Sequence, residues 1–242
     1  MLGYLPGIDF AALMLVNHLP TAILLSTFHS IPISTIAITL AVDLISLAGP
    51  VLLLRPNTAI HSTHLPARLP NRSLLASPQL ALYITALSTI LLTLPFYSLL
   101  RTVLPSLLVR NFDVTTLQPA YEAKLPLLAL QLLPLGFFLY TFVFEPATAL
   151  GHAQAPKQFE PETATFAETV EHNVWGALPK RTRCIVERTL ILAAASVVGT
   201  TVRVAATVGG STPVGALGWA ASFSTGIFAA GGGLWWVGRT QT

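Results

Sequence analysis

The chain has 242 residues, 53% hydrophobic and only 10% charged, with a mean hydropathy of +0.68. Soluble domains carry about 25% charged residues, so this chain cannot cover a water-facing surface, and its expected solvent is lipid. The formal charge of +3 rests on 13 scattered Lys and Arg, too few for a nucleic-acid-binding face, and the single cysteine, Cys184, excludes an internal disulfide.

The first charge is Asp9, and the apolar stretch from Phe10 is too long for the core of a cleavable signal. The first helix is therefore expected to stay as an anchor. A helix needs about 20 apolar residues to cross the ~30 Å hydrocarbon layer. Six segments qualify, at roughly 9–29, 33–54, 77–100, 126–148, 189–208 and 214–237. The expected fold class is all-α: a polytopic integral membrane protein with about six transmembrane helices, forming a single domain over 1–242.

The first span places Asn17, His18 and Pro20 at its centre, within "LMLVNHLPTAILL". A short turn at Ser30 to Pro32 makes the first two spans an antiparallel hairpin. His18 precedes that turn, and Asp43 follows it, by about twelve residues each, or roughly 18 Å at 1.5 Å per residue. The two residues therefore share a level near the membrane midplane. His18, Thr21, Ser26 and His29 fall on one broad side of the first helix; Thr35, Thr39, Asp43 and Ser46 form a stripe on the second. A midspan carboxylate costs about 2.5–3.5 kcal/mol on insertion scales, which selects for a partner. The two stripes are expected to face each other or a shared cavity.

The loop after the second span carries "HSTH", with His61 and His64, and the sequon Asn71-Arg72-Ser73. The third span bears a Thr85, Thr89, Thr93 stripe and Pro95. The following "RTVLPSLLVR", bracketed by Arg101 and Arg110, reads as an interfacial piece rather than a re-entrant one. The fourth span carries Gln131 near midplane depth and Pro134. Pro20, Pro50, Pro95 and Pro134 are expected to kink their helices.

The 149–188 loop opens Pro-rich, as "GHAQAPKQFEPETA". Phe166, Val170 and Val174 then recur at i, i+4, i+8, with Trp175 beside them, which predicts an amphipathic surface helix over about 162–178. Pro179 ends it, and the basic run "PKRTR" leads into the fifth span, beside Cys184. The fifth span holds Arg203, whose long stem can reach toward Asp43. The last two spans are rich in Gly and Ala. Gly226 to Ala230 and Ala229 to Gly233 have the spacing that lets helix backbones approach. Packing within the chain is the first use for this face; a second copy or another membrane protein is the alternative partner. Trp235 and Trp236 suit a membrane interface.

Arg55, Arg68, Arg72, Lys157, Lys180, Arg181, Arg183, Arg188 and Arg239 lie on one side of a six-span topology. Arg101, Arg110 and Lys124 lie on the other. The positive-inside rule then puts both termini in the cytoplasm. His61, His64, His152 and His172 share that side, but their spacing is not that of a closed metal site, so no metal is expected. No bis-histidine haem pair, phosphate loop, GxSxG or HExxH occurs, and no cofactor is implied.

The polar cluster is thus Asn17, His18, Asp43, Gln131 and Arg203. It supports three readings. Asp43 pairs with Arg203 or His18 only to fix helix register. Alternatively, Asp43 and His18 line a proton or small-solute pathway, giving a transport role. In the third reading Asp43, aided by His18, is the general acid or base of an intramembrane cyclase- or isomerase-like enzyme on a lipid-soluble substrate. Transport or a membrane-scaffold role is the expected function. In length and span count the chain resembles the small integral-membrane terpene cyclases of fungal biosynthetic clusters. Those enzymes depend on acidic residues both early and late in the chain, whereas no Asp or Glu follows Glu187 here, so no residue role is carried over.

This topology puts Asn71 on the cytoplasmic side. Expressed in a eukaryotic cell, the chain should show no mobility shift on glycosidase treatment; glycan at Asn71 would invert the topology.

Overall fold

The structure, a computed structural model, describes residues 7–54, 70–114, 116–150, 164–166, 169, 171–176 and 178–239. The described residues are helical, with no strand, and six helices among them are long and apolar enough to cross a membrane. They are α1 (Gly7–Phe28), α2 (Ile33–Leu54), α3 (Pro78–Thr102), α4 (Leu125–Ala149), α5 (Lys180–Thr207) and α6 (Pro213–Arg239). Pro20, Pro50, Pro95 and Pro134 all lie inside these helices.

Most ends fall close to the apolar boundaries, with one correction. α5 begins at Lys180, nine residues before the expected start of the fifth span. Its 28 residues are about 42 Å long, more than the hydrocarbon thickness, so the basic run is helix rather than loop. Hydropathy marks where lipid ends; it does not mark where backbone hydrogen bonding ends. A second correction concerns α4, which changes to π geometry at Tyr140–Phe144 before returning to α-helix at Glu145–Ala149. The expected surface helix over 162–178 is also modified, because Glu171–Gly176 is a π turn. Phe166 there is 86% exposed; Val170 and the side chain of Val174 lie outside the described residues. Arg183 closes this turn, donating from Nε to Leu178 O at 2.8 Å and from Nη2 to Gly176 O at 2.6 Å.

Three short helices complete the description, at Arg72–Leu75, Leu104–Asn111 and Gln118–Glu122. The second corresponds to "RTVLPSLLVR". It is amphipathic as expected, with Leu104 and Leu108 buried, and it packs against the N-terminal end of α6.

α1 packs on α2, α5 and α4; α6 packs on α5 and α3; α3 packs on α4. Five helices thus close a ring, and α2 rests on the outside of it, chiefly against α1. Neighbours in the chain run antiparallel, whereas α1 and α5 run parallel: Asp9 meets Arg188 and His18 meets Arg203. An aromatic knot fills the ring. Phe96 and Phe28 meet the Trp219 ring edge-on, with centroids 5.7 and 6.2 Å away, and Phe223 lies 4.1 Å from Phe96. The Trp219 indole N–H would be unsatisfied in this core, and it donates to Pro20 O at 3.0 Å.

The small residues of α6 let α3 and α5 approach. A Cβ on Gly226 would lie 2.8 Å from Leu92 O of α3, and one on Gly231 would lie 2.5 Å from Thr189 of α5. The α3 threonines turn toward α4, where Thr89 lies against Gly136. Thr89 and Thr93 donate to their own backbone, at Thr85 O and Thr89 O.

Leucine at Gly226 would push against a backbone carbonyl that cannot rotate away. Gly226→Leu should destabilise the fold by about 3 kcal/mol, read as a lowered midpoint of thermal unfolding in detergent, while a leucine at the open position Gly232 should not.

Candidate functional site

α2 is long and apolar but almost bare. Ile38, Ile45 and Leu53 are 66%, 71% and 88% exposed, and Ala48 is its one buried residue. The line it turns toward α1 includes Ile36, Leu40, Leu44 and Ala48, at helical spacing. Asp43 stands at the edge of that line. Thr35, Thr39 and Ser46 lie one row further round and are exposed; Thr39 donates to Thr35 O at 2.9 Å. The two polar stripes therefore do not meet as whole faces. Only His18 and Asp43 do.

His18 Nδ1 lies 2.9 Å from Asp43 Oδ2. Arg203, reaching from α5, donates through Nη2 to the same carboxylate oxygen. Its Nη1 lies 3.1 Å from His18 Nε2. A guanidinium can only donate, so Nε2 must accept, which fixes His18 as the neutral Nδ1–H tautomer donating to Asp43. The triad then holds one negative charge, one positive charge and a neutral ring. Three helices meet in it. Its side chains are not sealed: those of Asp43 and Arg203 keep 28% and 29% exposure, and that of His18 keeps 10%.

The structure does not bring Asn17 and Gln131 to this triad. Asn17 lies against Gly199 of α5, so closely that any side chain at 199 would collide with its amide, and its Oδ1 is buried with no hydrogen bond among the described residues. Gln131 lines a separate cavity between α1, α3 and α4. His61, His64 and His152 lie outside the described residues; among those described, no three His, Cys, Asp or Glu are grouped to hold a metal.

A second ion pair was not anticipated from sequence. Asp9, 1% exposed, accepts from Arg188 Nη1 at 3.0 Å, and the same Nη1 lies 2.8 Å from Phe142 O. The guanidinium also sits 4.9 Å over the Phe142 ring. Phe142 lies in the π turn of α4, so the cation binds a carbonyl of the widened segment. In the sequence Arg188 falls in the loop, because the apolar run starts at Thr189. The available signal was Asp9 itself, an acid at the edge of a span and in need of a cation. Arg181 is buried against the same end of α4, 5.6 Å over the Phe144 ring and 3.5 Å from Thr148 Oγ1.

These features define a class: an all-helical protein with helices fit to span a membrane and with interior charges paired between them. More particularly, residues 78–206 match the Bouquet formation protein 3 C-terminal domain, and with just over half of its length matched the chain belongs to that family. The match runs from the start of α3 nearly to the end of α5, so it contains Gln131 and Arg203, while His18 and Asp43 precede it. No curated protein and no solved structure matches the chain.

Removing one member of a buried pair strands the other, at a cost of about 3–5 kcal/mol when burial is complete. Partial exposure reduces this. Arg203→Gln and Asp43→Asn should each lower stability in detergent by about 2 kcal/mol, and the double variant should lose clearly less than their sum. An Asp43→Asn protein as stable as wild type would remove the triad's structural role.

Proposed function

We propose that the protein is a six-span membrane scaffold whose α2 is clamped onto the bundle by the His18–Asp43–Arg203 triad. The exposed apolar faces of α2, with Val198 and Val202 of α5, exceed what a water-soluble monomer presents and suit lipid. The observation that carries the scaffold reading over a proton pathway is the state of His18. Both of its ring nitrogens are engaged, one by a carboxylate and the other by a cation that does not deprotonate. To take up a proton, Nε2 must first lose Arg203. A relay histidine needs one face free, and this one has none.

The family's name concerns bouquet formation, a process tied to the nuclear envelope in meiosis, and on that ground we assign this membrane role to the nuclear envelope. Both termini face the nucleus-cytoplasm side by the charge count of the loops. A second reading, a proton or small-solute path, draws on the partial exposure of Asp43 and Arg203. An enzyme acting through Asp43 has no nucleophile or further acid beside it in the triad.

Two measurements test the proposal together. A tagged chain should resist carbonate extraction and outline the nuclear rim. In proteoliposomes carrying a pH gradient, wild type and Asp43→Asn should leak protons equally. A flux present in wild type and abolished in Asp43→Asn would replace the scaffold with transport.

A further inference from the structure

At the outer ends of the bundle, away from the triad, lies a cavity of about 380 Å³ between α1, α3 and α4. That is within the range of small-molecule sites, roughly 300–1,000 Å³. Its walls are apolar and aromatic, with Phe28, Phe96, Leu128 and Trp219 among them. Gln131 also lines it and makes no hydrogen bond to the described residues. Gln131 is partly buried, so its amide is free to meet a polar group that enters the cavity. Side chains of a helix lean toward its N-terminus, and α4 begins at the mouth, so the Gln131 side chain leans toward the mouth.

The mouth is charged. Glu122 and Lys124, both exposed, stand two residues apart on the segment entering α4. Glu122 takes one bond from Gln118 Nε2, at 2.6 Å, which leaves a carboxylate acceptor over. Arg101 holds the segment in place, donating to Tyr121 O and Ala123 O at 3.3 and 3.2 Å. No side chain caps the first turn of α4. A second, open groove, lined by Tyr97, Arg101 and Leu130, shares Glu122, Lys124 and Leu127 with the cavity. Two apolar clefts thus flank one ridge of mixed charge.

We infer that this is a phospholipid site for a zwitterionic head group with an amine. The phosphate sits at Lys124 and the uncapped start of α4, the amine at Glu122, an ester carbonyl at the Gln131 amide, one acyl chain in the cavity and the other along the open groove. The assignment rests on the membrane reading above, since the lipid is drawn from the leaflet that the outer ends of the helices enter.

The test is native mass spectrometry of the full chain in mild detergent, titrated with phosphatidylethanolamine and separately with phosphatidylglycerol. One saturable phosphatidylethanolamine per chain is expected, with phosphatidylglycerol at least tenfold weaker. Lys124→Gln alters only an exposed side chain and should weaken retention about tenfold. Gln131→Leu should do the same, and Val198→Ala on the far face of α5 should change nothing. Equal retention by Lys124→Gln and wild type, equal binding of the two lipids, or no lipid above the background seen for detergent alone would each overturn the site. A chain that stays dispersed without detergent would instead overturn the membrane reading, whereas a detergent-dependent chain that retains no lipid loses only this site.

Discussion

A carboxylate in apolar surroundings must be neutralised, and the arrangement of α1, α2 and α5 follows from that one demand. Asp43 has no partner on its own helix. It is met by His18 from α1 and Arg203 from α5, and each of the two also touches the other. The group sums to zero charge, and the tautomer of His18 lets every close approach be a donor meeting an acceptor. Beyond this, helix α2 packs on the bundle chiefly along the line of Ile36, Leu40, Leu44 and Ala48, and most of its side chains are exposed. The same demand is met in the first turn of α1, where Asp9 pairs with Arg188. Asp9 and His18 are nine residues apart, so the parallel helices α1 and α5 are stapled at two separate levels.

The opposite side of the ring uses a different adhesive. Apolar helices gain little from burying surface when the solvent is itself hydrocarbon, so close packing has to replace the hydrophobic effect. Gly226 and Gly231 on α6 and Gly136 on α4 admit neighbouring backbones and threonines to contact. Trp219 and the Phe96–Phe223 pair then fill the space that small residues leave at the centre. Charge clamps join α1, α2 and α5, and glycine contacts join α6 to α3 and α5 and α4 to α3.

Much of this was written in the sequence, because long apolar runs leave few options. Six apolar runs gave six long helices, and level-matching across a four-residue turn was enough to set His18 opposite Asp43. Arg203 was legible for the same reason: a midspan cation and a midspan anion are too costly to leave apart. What escaped notice lay where the apolar pattern gives no phase. The rotation of α2 about its axis decides that Thr35 and Ser46 face outward, and a helix with apolar residues all round does not report its rotation. Arg188 was hidden by the difference between a helix end and the edge of a hydrophobic run. At the π turn of Tyr140–Phe144 a cation from a distant helix meets Phe142 O, a contact that no local pattern in α4 records. Gln131 reads as level with the triad, but it lines the cavity near the helix ends, and depth alone does not fix azimuth.

The limits of the family match carry a structural consequence. The matched stretch holds α3, α4 and most of α5, including Arg203 and Arg188, but neither Asp43 nor Asp9. Taken alone it would carry two arginines on the faces of one apolar helix with no acids opposite them. A guanidinium cannot shed its charge as a lysine or histidine can, so such a helix would have to find anions or distort the bilayer around it. The α1–α2 hairpin supplies one acid to each arginine, Asp9 from its first helix and Asp43 from its second. The hairpin is therefore not an appendage to the matched domain. It is the counter-charge that lets α5 lie in an apolar medium, and the pairing in turn fixes which face of the domain the hairpin can occupy.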